Sequence, residues 1–186
     1  NDEIDDPTTL PDIQVPGGDV DYRQGLDRDG DGVLDDQETA DGTDPNDPCD
    51  YVIASITEPQ GGDWLMADCD GDGVTNEQEL ADGTNPEDSC DFDMTSITLT
   101  QSGDYLIADC DGDGVTNGDE ITDGTDPEDP CDFNETSITL DRGGDWLLAD
   151  CDGDTIPNGQ ETTDDTNPED PCSSRGGTPP SGVPCD

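Results

Sequence analysis

Four times in 186 residues the chain sets oxygen-bearing side chains at alternate positions of a twelve-residue stretch that closes on glutamate. The third stretch has Asp109, Asp111, Asp113 and Asn117 at positions 1, 3, 5 and 9, Gly114 at position 6, Val115 at position 7 and Glu120 at position 12. The first carries Asp27, Asp29, Asp31, Val33, Asp35 and Glu38 in the same places. The second carries Asp68, Asp70, Asp72, Val74, Asn76 and Glu79, and the fourth Asp150, Asp152, Asp154, Ile156, Asn158 and Glu161. A hard cation takes six to eight oxygens at about 2.3–2.6 Å, and alternate aspartates in a tight loop, a seventh-position backbone carbonyl and a bidentate twelfth-position glutamate supply them. Magnesium demands strict octahedral geometry and retains water, so a flexible cage of this kind favours calcium.

The spacing is EF-hand-like. Random acidity would not place glycine at position 6 and glutamate at position 12 in register, so the acidic runs read as ion sites rather than solvated surface. The fourth stretch has Thr155 where the others have Gly32, Gly73 and Gly114. If position 6 needs a positive φ, a β-branched residue there is strained by about 1–2 kcal/mol, and this site is expected to be the weakest. A second series of oxygens follows each stretch: Asp41, Asp44, Asp47 and Asp50; Asp82, Asn85, Asp88 and Asp91; Asp123, Asp126, Asp129 and Asp132; Asp164, Asn167 and Asp170. These either cap turns, as Asp and Asn do before proline, or hold a second ion, giving at least one calcium per repeat and room for two. With no histidine in the chain, general acid–base chemistry would fall to carboxylates already accounted for by metal binding; an enzyme is not expected.

The elements that position these loops repeat with a strict period. Cys49, Cys90, Cys131 and Cys172 are each 41 residues apart, as are Cys69, Cys110 and Cys151, and Trp64, Tyr105 and Trp146 keep the same register. The period divides the chain into repeats at 27–67, 68–108, 109–149 and a truncated 150–186, preceded by an acidic Pro/Gly linker over 1–26. Within a repeat, TSITLT (95–100) and DYLIAD (104–109) predict a small β-hairpin. The acidic loop follows, then about a turn of helix, as at 76–82, which Gly42, Gly83 and Gly124 can end from a left-handed conformation. About seven apolar side chains per repeat cannot offset the entropy of ordering 41 residues, so covalent or metal staples are required. Little regular structure is expected otherwise.

Cysteine supplies one staple. Pairing around the acidic loop would orphan Cys49 and Cys185, because the first repeat has Arg28 where its successors have Cys69, Cys110 and Cys151. Pairing in sequential order, Cys49 with Cys69, Cys90 with Cys110, Cys131 with Cys151 and Cys172 with Cys185, uses all eight, and closing some twenty residues contributes about 3 kcal/mol in the chain-entropy model.

Composition bounds the function. Fifty-two acidic against four basic residues give a formal charge of −48, which excludes nucleic acid and anionic membrane surfaces as partners. No stretch approaches the ~18 apolar residues of a membrane span. The disulfide framework implies an oxidising, extracellular compartment, and the chain reads as a piece of a longer secreted protein.

The stretch DGDGVTNGDEITDGTDPEDP resembles the bacterial thrombospondin type 3-like calcium-binding repeats. The longer unit, with its ending PCSSRGGTPPSGVPCD, is similar to repeats preceding the C-terminal sorting domain of type IX-secreted cell-surface adhesins in gliding Bacteroidota. The resemblance covers residues 27–186 and implies an elongated, calcium-rigidified and disulfide-stapled rod. It would be the stalk of an adhesin on the outer surface of a bacterium, supporting adhesion or gliding. Its partners would be other regions of the same large protein and an anchoring or export protein. The alternative is a calcium-dependent protein–protein docking module that engages its partner through exposed Trp64, Tyr105 and Trp146.

Overall fold

A computed structural model describes residues 25–173 and Cys185. The expected linker over 1–26 therefore lies outside the described residues, apart from Gly25 and Leu26. The chain divides into two compact units, one ending at Ala67 and the other beginning at Asp68.

Among the described residues, five short helices carry the regular structure: α1 (Asp35–Asp41), α2 (Asn76–Asp82), α3 (Gly103–Ile107), α4 (Asn117–Asp123) and α5 (Asn158–Asp164). Single 3-10 turns form at Ile53–Ser55, Trp64–Met66, Met94–Ser96 and Glu135–Ser137. Helices α1, α2, α4 and α5 each begin at position 9 of an acidic loop. Thr75 and Thr116 cap α2 and α4 by accepting from the backbone N–H groups of Gln78 and Asp119, and acidic first turns complement the helix dipole. Gly42, Gly83 and Gly124 end three of them with φ between +81° and +88°, while Asp165 does so for α5 at φ +61°. The threonine after this cap then sends its backbone N–H to the carbonyl of the loop's closing glutamate, as Thr84 does to Glu79 at 3.0 Å.

The β-hairpin expected at 95–109 does not form, and no strand occurs among the described residues. Asp93 Oδ1 accepts from the backbone N–H and hydroxyl of Thr95 and turns the first run into a 3-10 helix, and the second run coils into α3. The residues between them pair with the acidic loop of their own repeat rather than with each other. Thr98 and Leu99 donate to the Gly73 carbonyl, Ser102 to Gly71 and Tyr105 to Asp70. The same cover lies over the first loop, from Thr57, Glu58, Gly61 and Trp64, and over the third, from Thr139, Leu140, Gly143 and Trp146. Loop carbonyls at positions 3, 4 and 6 need donors, and the β-prone segment supplies them.

This cover buries the aromatic residues. Trp64, Tyr105 and Trp146 are 2–3% exposed, so they are core and not the exposed docking residues of the alternative reading. Among the described residues they make up the buried apolar set with Val33, Val74 and Val115, against fifteen buried polar or charged residues, of which twelve are loop carboxylates and three are the loop asparagines Asn76, Asn117 and Asn158. Disulfides join Cys90 to Cys110, Cys131 to Cys151 and Cys172 to Cys185, stapling the repeats, and Cys49 and Cys69 are disulfide-bonded as well.

The second series of oxygens caps turns. Asp44, Asn85, Asp126 and Asn167 accept from the backbone N–H two residues on. Asp47, Asp88, Asp129 and Asp170 do the same for Cys49, Cys90, Cys131 and Cys172, which fixes one end of each bridge. Asp41, Asp82 and Asp123 accept from the hydroxyls of Ser55, Ser96 and Ser137, tying each helix end to the 3-10 turn beyond it.

Candidate metal centres

Each acidic loop organises its carboxylates through its own backbone. In the second loop Asp68 at position 1 accepts from Gly71 N–H at 2.9 Å and Gly73 N–H at 3.1 Å. Asp70 Oδ1 accepts from Asp72 N–H at 3.2 Å, and Asp72 Oδ1 from Val74 N–H at 2.7 Å. The other three loops repeat this ladder: Asp27, Asp29 and Asp31; Asp109, Asp111 and Asp113; Asp150, Asp152 and Asp154. In every triad one oxygen from each aspartate lies within 4.8 Å of the others. Val33, Val74 and Val115 at position 7 are fully buried and Ile156 half-buried.

After these bonds, the same four oxygens remain in each loop. The second oxygens of positions 3 and 5 and both oxygens of the closing glutamate, Glu38, Glu79, Glu120 or Glu161, are buried without a hydrogen-bond partner. Four per loop make sixteen. An unsatisfied buried polar group costs about 1–3 kcal/mol and more when charged, so sixteen exceed the ~5–15 kcal/mol net stability of a domain. Oxygen-only donors, anionic and convergent, fit calcium.

Electrostatics agrees. Burial, and then the charge of the loop aspartates, pushes Glu79 and Glu120 up to about 8, Glu38 to about 7 and Glu161 to about 6. Burial raises Asp31, Asp70 and Asp72 to about 6 and Asp111 to about 7, and it raises Asp29, Asp68, Asp113 and Asp152 as well. A cation reverses both causes at once, by replacing lost hydration and by screening like charges.

Position 9 makes a different set of contacts from those of positions 3, 5 and 12. Asn76 Oδ1 accepts from Cys69 N–H at 3.3 Å and its Nδ2 reaches Cys69 Sγ at 3.2 Å. Asn117 and Asn158 hold Cys110 and Cys151 in the same two-armed way. In the first loop Asp35 takes Arg28 instead, accepting from its backbone N–H at 3.2 Å and pairing with its Nε at 2.9 Å. The ninth residue thus clamps the second. The sequence carries a signal for this clamp, since positions 2 and 9 change together, Arg with Asp and Cys with Asn.

The fourth loop is less enclosed: Asp150 is exposed, and Asp152 half-buried. Thr155 does adopt φ +81°. A Cβ at Gly32, Gly73 or Gly114 would stand 2.7–3.0 Å from a carbonyl of the covering segment. The cover that would lie 41 residues beyond Thr139 and Leu140 falls outside the described residues. Arg142, at the register of Gln60 and Gln101, was not singled out from sequence. It lies 4.5 Å from the ring centroids of both Phe133 and Trp146, donates through Nε to the Asp113 carbonyl at 2.9 Å and pairs with Glu169 at 3.6 Å.

The family model of the bacterial TSP3 repeat matches residues 27–48, 68–89 and 109–130. Each matched segment begins at the first aspartate of a loop and runs through the helix into the turns beyond it. The bacterial TSP3 repeat family is one of structural calcium-binding repeats and not of enzymes, and the aspartate triads of this chain suit calcium. No curated protein and no solved structure matches the chain. Its disulfides belong to an oxidising compartment, and no helix of the described residues is long and apolar enough to cross a membrane.

Proposed function

We propose that the chain is the calcium-rigidified stalk of a secreted bacterial cell-surface adhesin, a spacer that holds an adhesive region away from the cell and supports adhesion or gliding. One observation carries the calcium-dependent part: four loops each bury the same four carboxylate oxygens without partners. Asp27, Asp29, Asp31 and Glu38, with their counterparts at 68–79, 109–120 and 150–161, would hold one ion each, the position-7 carbonyl completing the set. When bound, calcium supplies the positive charge that lets buried carboxylates stay ionised. The chain's own residues set the loop ladder, the cover and the bridges that transmit this closure along the repeats. At millimolar extracellular calcium, sites with Kd of about 10⁻⁴–10⁻³ M would be largely filled. The adhesin setting and an export route of the type IX kind rest on the resemblance of the repeat unit and its ending.

Small-angle scattering and limited proteolysis, with calcium and then with chelator, test the stalk reading. Chelation is expected to expand the chain and open the 57–64, 98–105 and 139–146 covers to protease. An unchanged radius of gyration and cleavage pattern would defeat it.

A further inference from the structure

Each disulfide that enters an acidic loop does so at position 2, and the residue that grips it there is the loop's own position 9. Asn117 is fully buried. Its two side-chain arms hold Cys110 N–H and Cys110 Sγ at 3.1 and 3.0 Å, while its backbone N–H reaches back to the Ala108 carbonyl at 2.8 Å. Asn158 repeats these contacts on Cys151 and Ala149 and adds the Trp146 carbonyl at 2.9 Å. Carboxylates of positions 1 and 3 flank the gripped cysteine in sequence, and position 9 opens the helix that delivers the closing glutamate. Bridge, clamp and ligand loop therefore form one closed circuit.

We infer that Asn76, Asn117 and Asn158 are positioning residues that couple the redox state of the loop-entering disulfides to calcium occupancy. The inference rests on the calcium reading above. Linkage makes the coupling reciprocal: a bridge that holds position 2 in place favours the ion, and an ion that fixes the loop makes the bridge harder to reduce. The first loop is exempt by construction. Its position 2 is Arg28, held by Asp35 through charge, so no bridge enters that loop. Cys172–Cys185 is a second internal control, because neither cysteine occupies position 2 of a loop.

The test uses the whole chain. Reduction by dithiothreitol under native conditions is followed by thiol trapping and mass spectrometry of each cysteine, in calcium and in chelator, with calcium binding counted in parallel by calorimetry. Calcium is expected to slow reduction of Cys90–Cys110 and Cys131–Cys151 by about tenfold, within the 5–150-fold range of ordinary coupling, and to leave Cys172–Cys185 unchanged. Asn117→Ala should abolish protection of Cys90–Cys110 while Cys131–Cys151 stays protected. Asn117→Asp keeps the acceptor for Cys110 N–H and removes the donor to its sulfur; compared at calcium levels that calorimetry shows to saturate the variant, it should lose protection of Cys90–Cys110 in part, which decides the matter if the alanine variant does not fold. A wild-type chain that binds no calcium would overturn the calcium reading itself. Calcium binding with equal reduction rates at all bridges, or full protection in Asn117→Asp, would overturn the coupling alone.

Discussion

Calcium should expel protons from this protein, and the number follows from the loop glutamates. Without metal, Glu79 and Glu120 stand near 8, Glu38 near 7 and Glu161 near 6, each raised first by burial and then by its aspartate neighbours. At pH 7 a group of pKa 8 is about nine-tenths protonated, one of pKa 7 half and one of pKa 6 about a tenth. The four glutamates then release about two to three protons on loading, with Asp111 near 7 adding about half of one more. The sign for stability is fixed by the same shifts. Metal-free, the folded chain binds more protons than the unfolded one between the ordinary glutamate value and about 8, so its stability falls as pH rises through that window. Loaded, the order is reversed: the ion holds these groups ionised, and stability is lost as pH falls and protons compete for the oxygens. Calorimetric titration with calcium at pH 7, in buffers of different ionisation enthalpy, counts the protons directly. Repeating it at pH 9 should bring the count close to zero. Release of none at pH 7 would mean that the glutamates are already ionised in the metal-free fold, and the reading of them as desolvated, partnerless ligands would be wrong.

Gly114→Ala puts a Cβ 2.9 Å from the Leu140 carbonyl at φ +95°, combining left-handed strain with a backbone clash. A loss of about 2–3 kcal/mol is expected in denaturant unfolding of the calcium-loaded protein. Thr155→Gly acts in the opposite direction. It relieves about 1–2 kcal/mol of strain at φ +81° but gives back part of this as unfolded-chain entropy, so fourth-loop calcium affinity should tighten by a few-fold in calorimetry. Arg142→Gln installs the residue found at 60 and 101 and removes the guanidinium stacked on Phe133 and Trp146. About 1–2 kcal/mol should be lost, and because the 3.6 Å pair with Glu169 is a minor contributor, the loss should persist in high salt.

What the sequence made legible was local. Alternate aspartates, a helix opening at position 9 and a glycine at its left-handed end, as at Gly83, depend on neighbours within a few residues, and the structure has the helices at those places. The runs were recognisable as β-prone, but β-propensity neither fixes the local conformation, since the second run coils into α3, nor names a partner. Thr98 and Leu99 pair with the Gly73 carbonyl, 25 residues and more away, and a hairpin was the nearer but incorrect inference. The aromatic residues followed from that error. With the hairpin standing free, Trp64, Tyr105 and Trp146 had nothing to lie against, whereas the cover folds them beneath the loop. Position 9 was read as a ligand, and its contacts to position 2 were missed for a chemical reason: an asparagine oxygen can accept a backbone N–H as readily as it can meet a cation, and the one signal of the clamp in the sequence is the paired change from Arg28 and Asp35 to cysteine and asparagine.

The deeper difficulty lies in what counts as a core. Counting apolar residues finds too few to fold a repeat, and the structure agrees: each covered loop buries one valine and one aromatic ring. The interior is made instead of carboxylates at positions 3, 5 and 12, whose desolvation opposes folding until a cation reverses it. Hydrophobic burial and metal binding are therefore not separate contributions here. The cover that shields Trp146 also excludes water from the Glu120 loop, so a weaker cover lowers ion affinity, and a missing ion leaves the cover lying over unpaired charge. The less enclosed fourth loop, where Asp150 is exposed, carries the smallest glutamate shift of the four, and by the same coupling its ion is expected to be held less tightly.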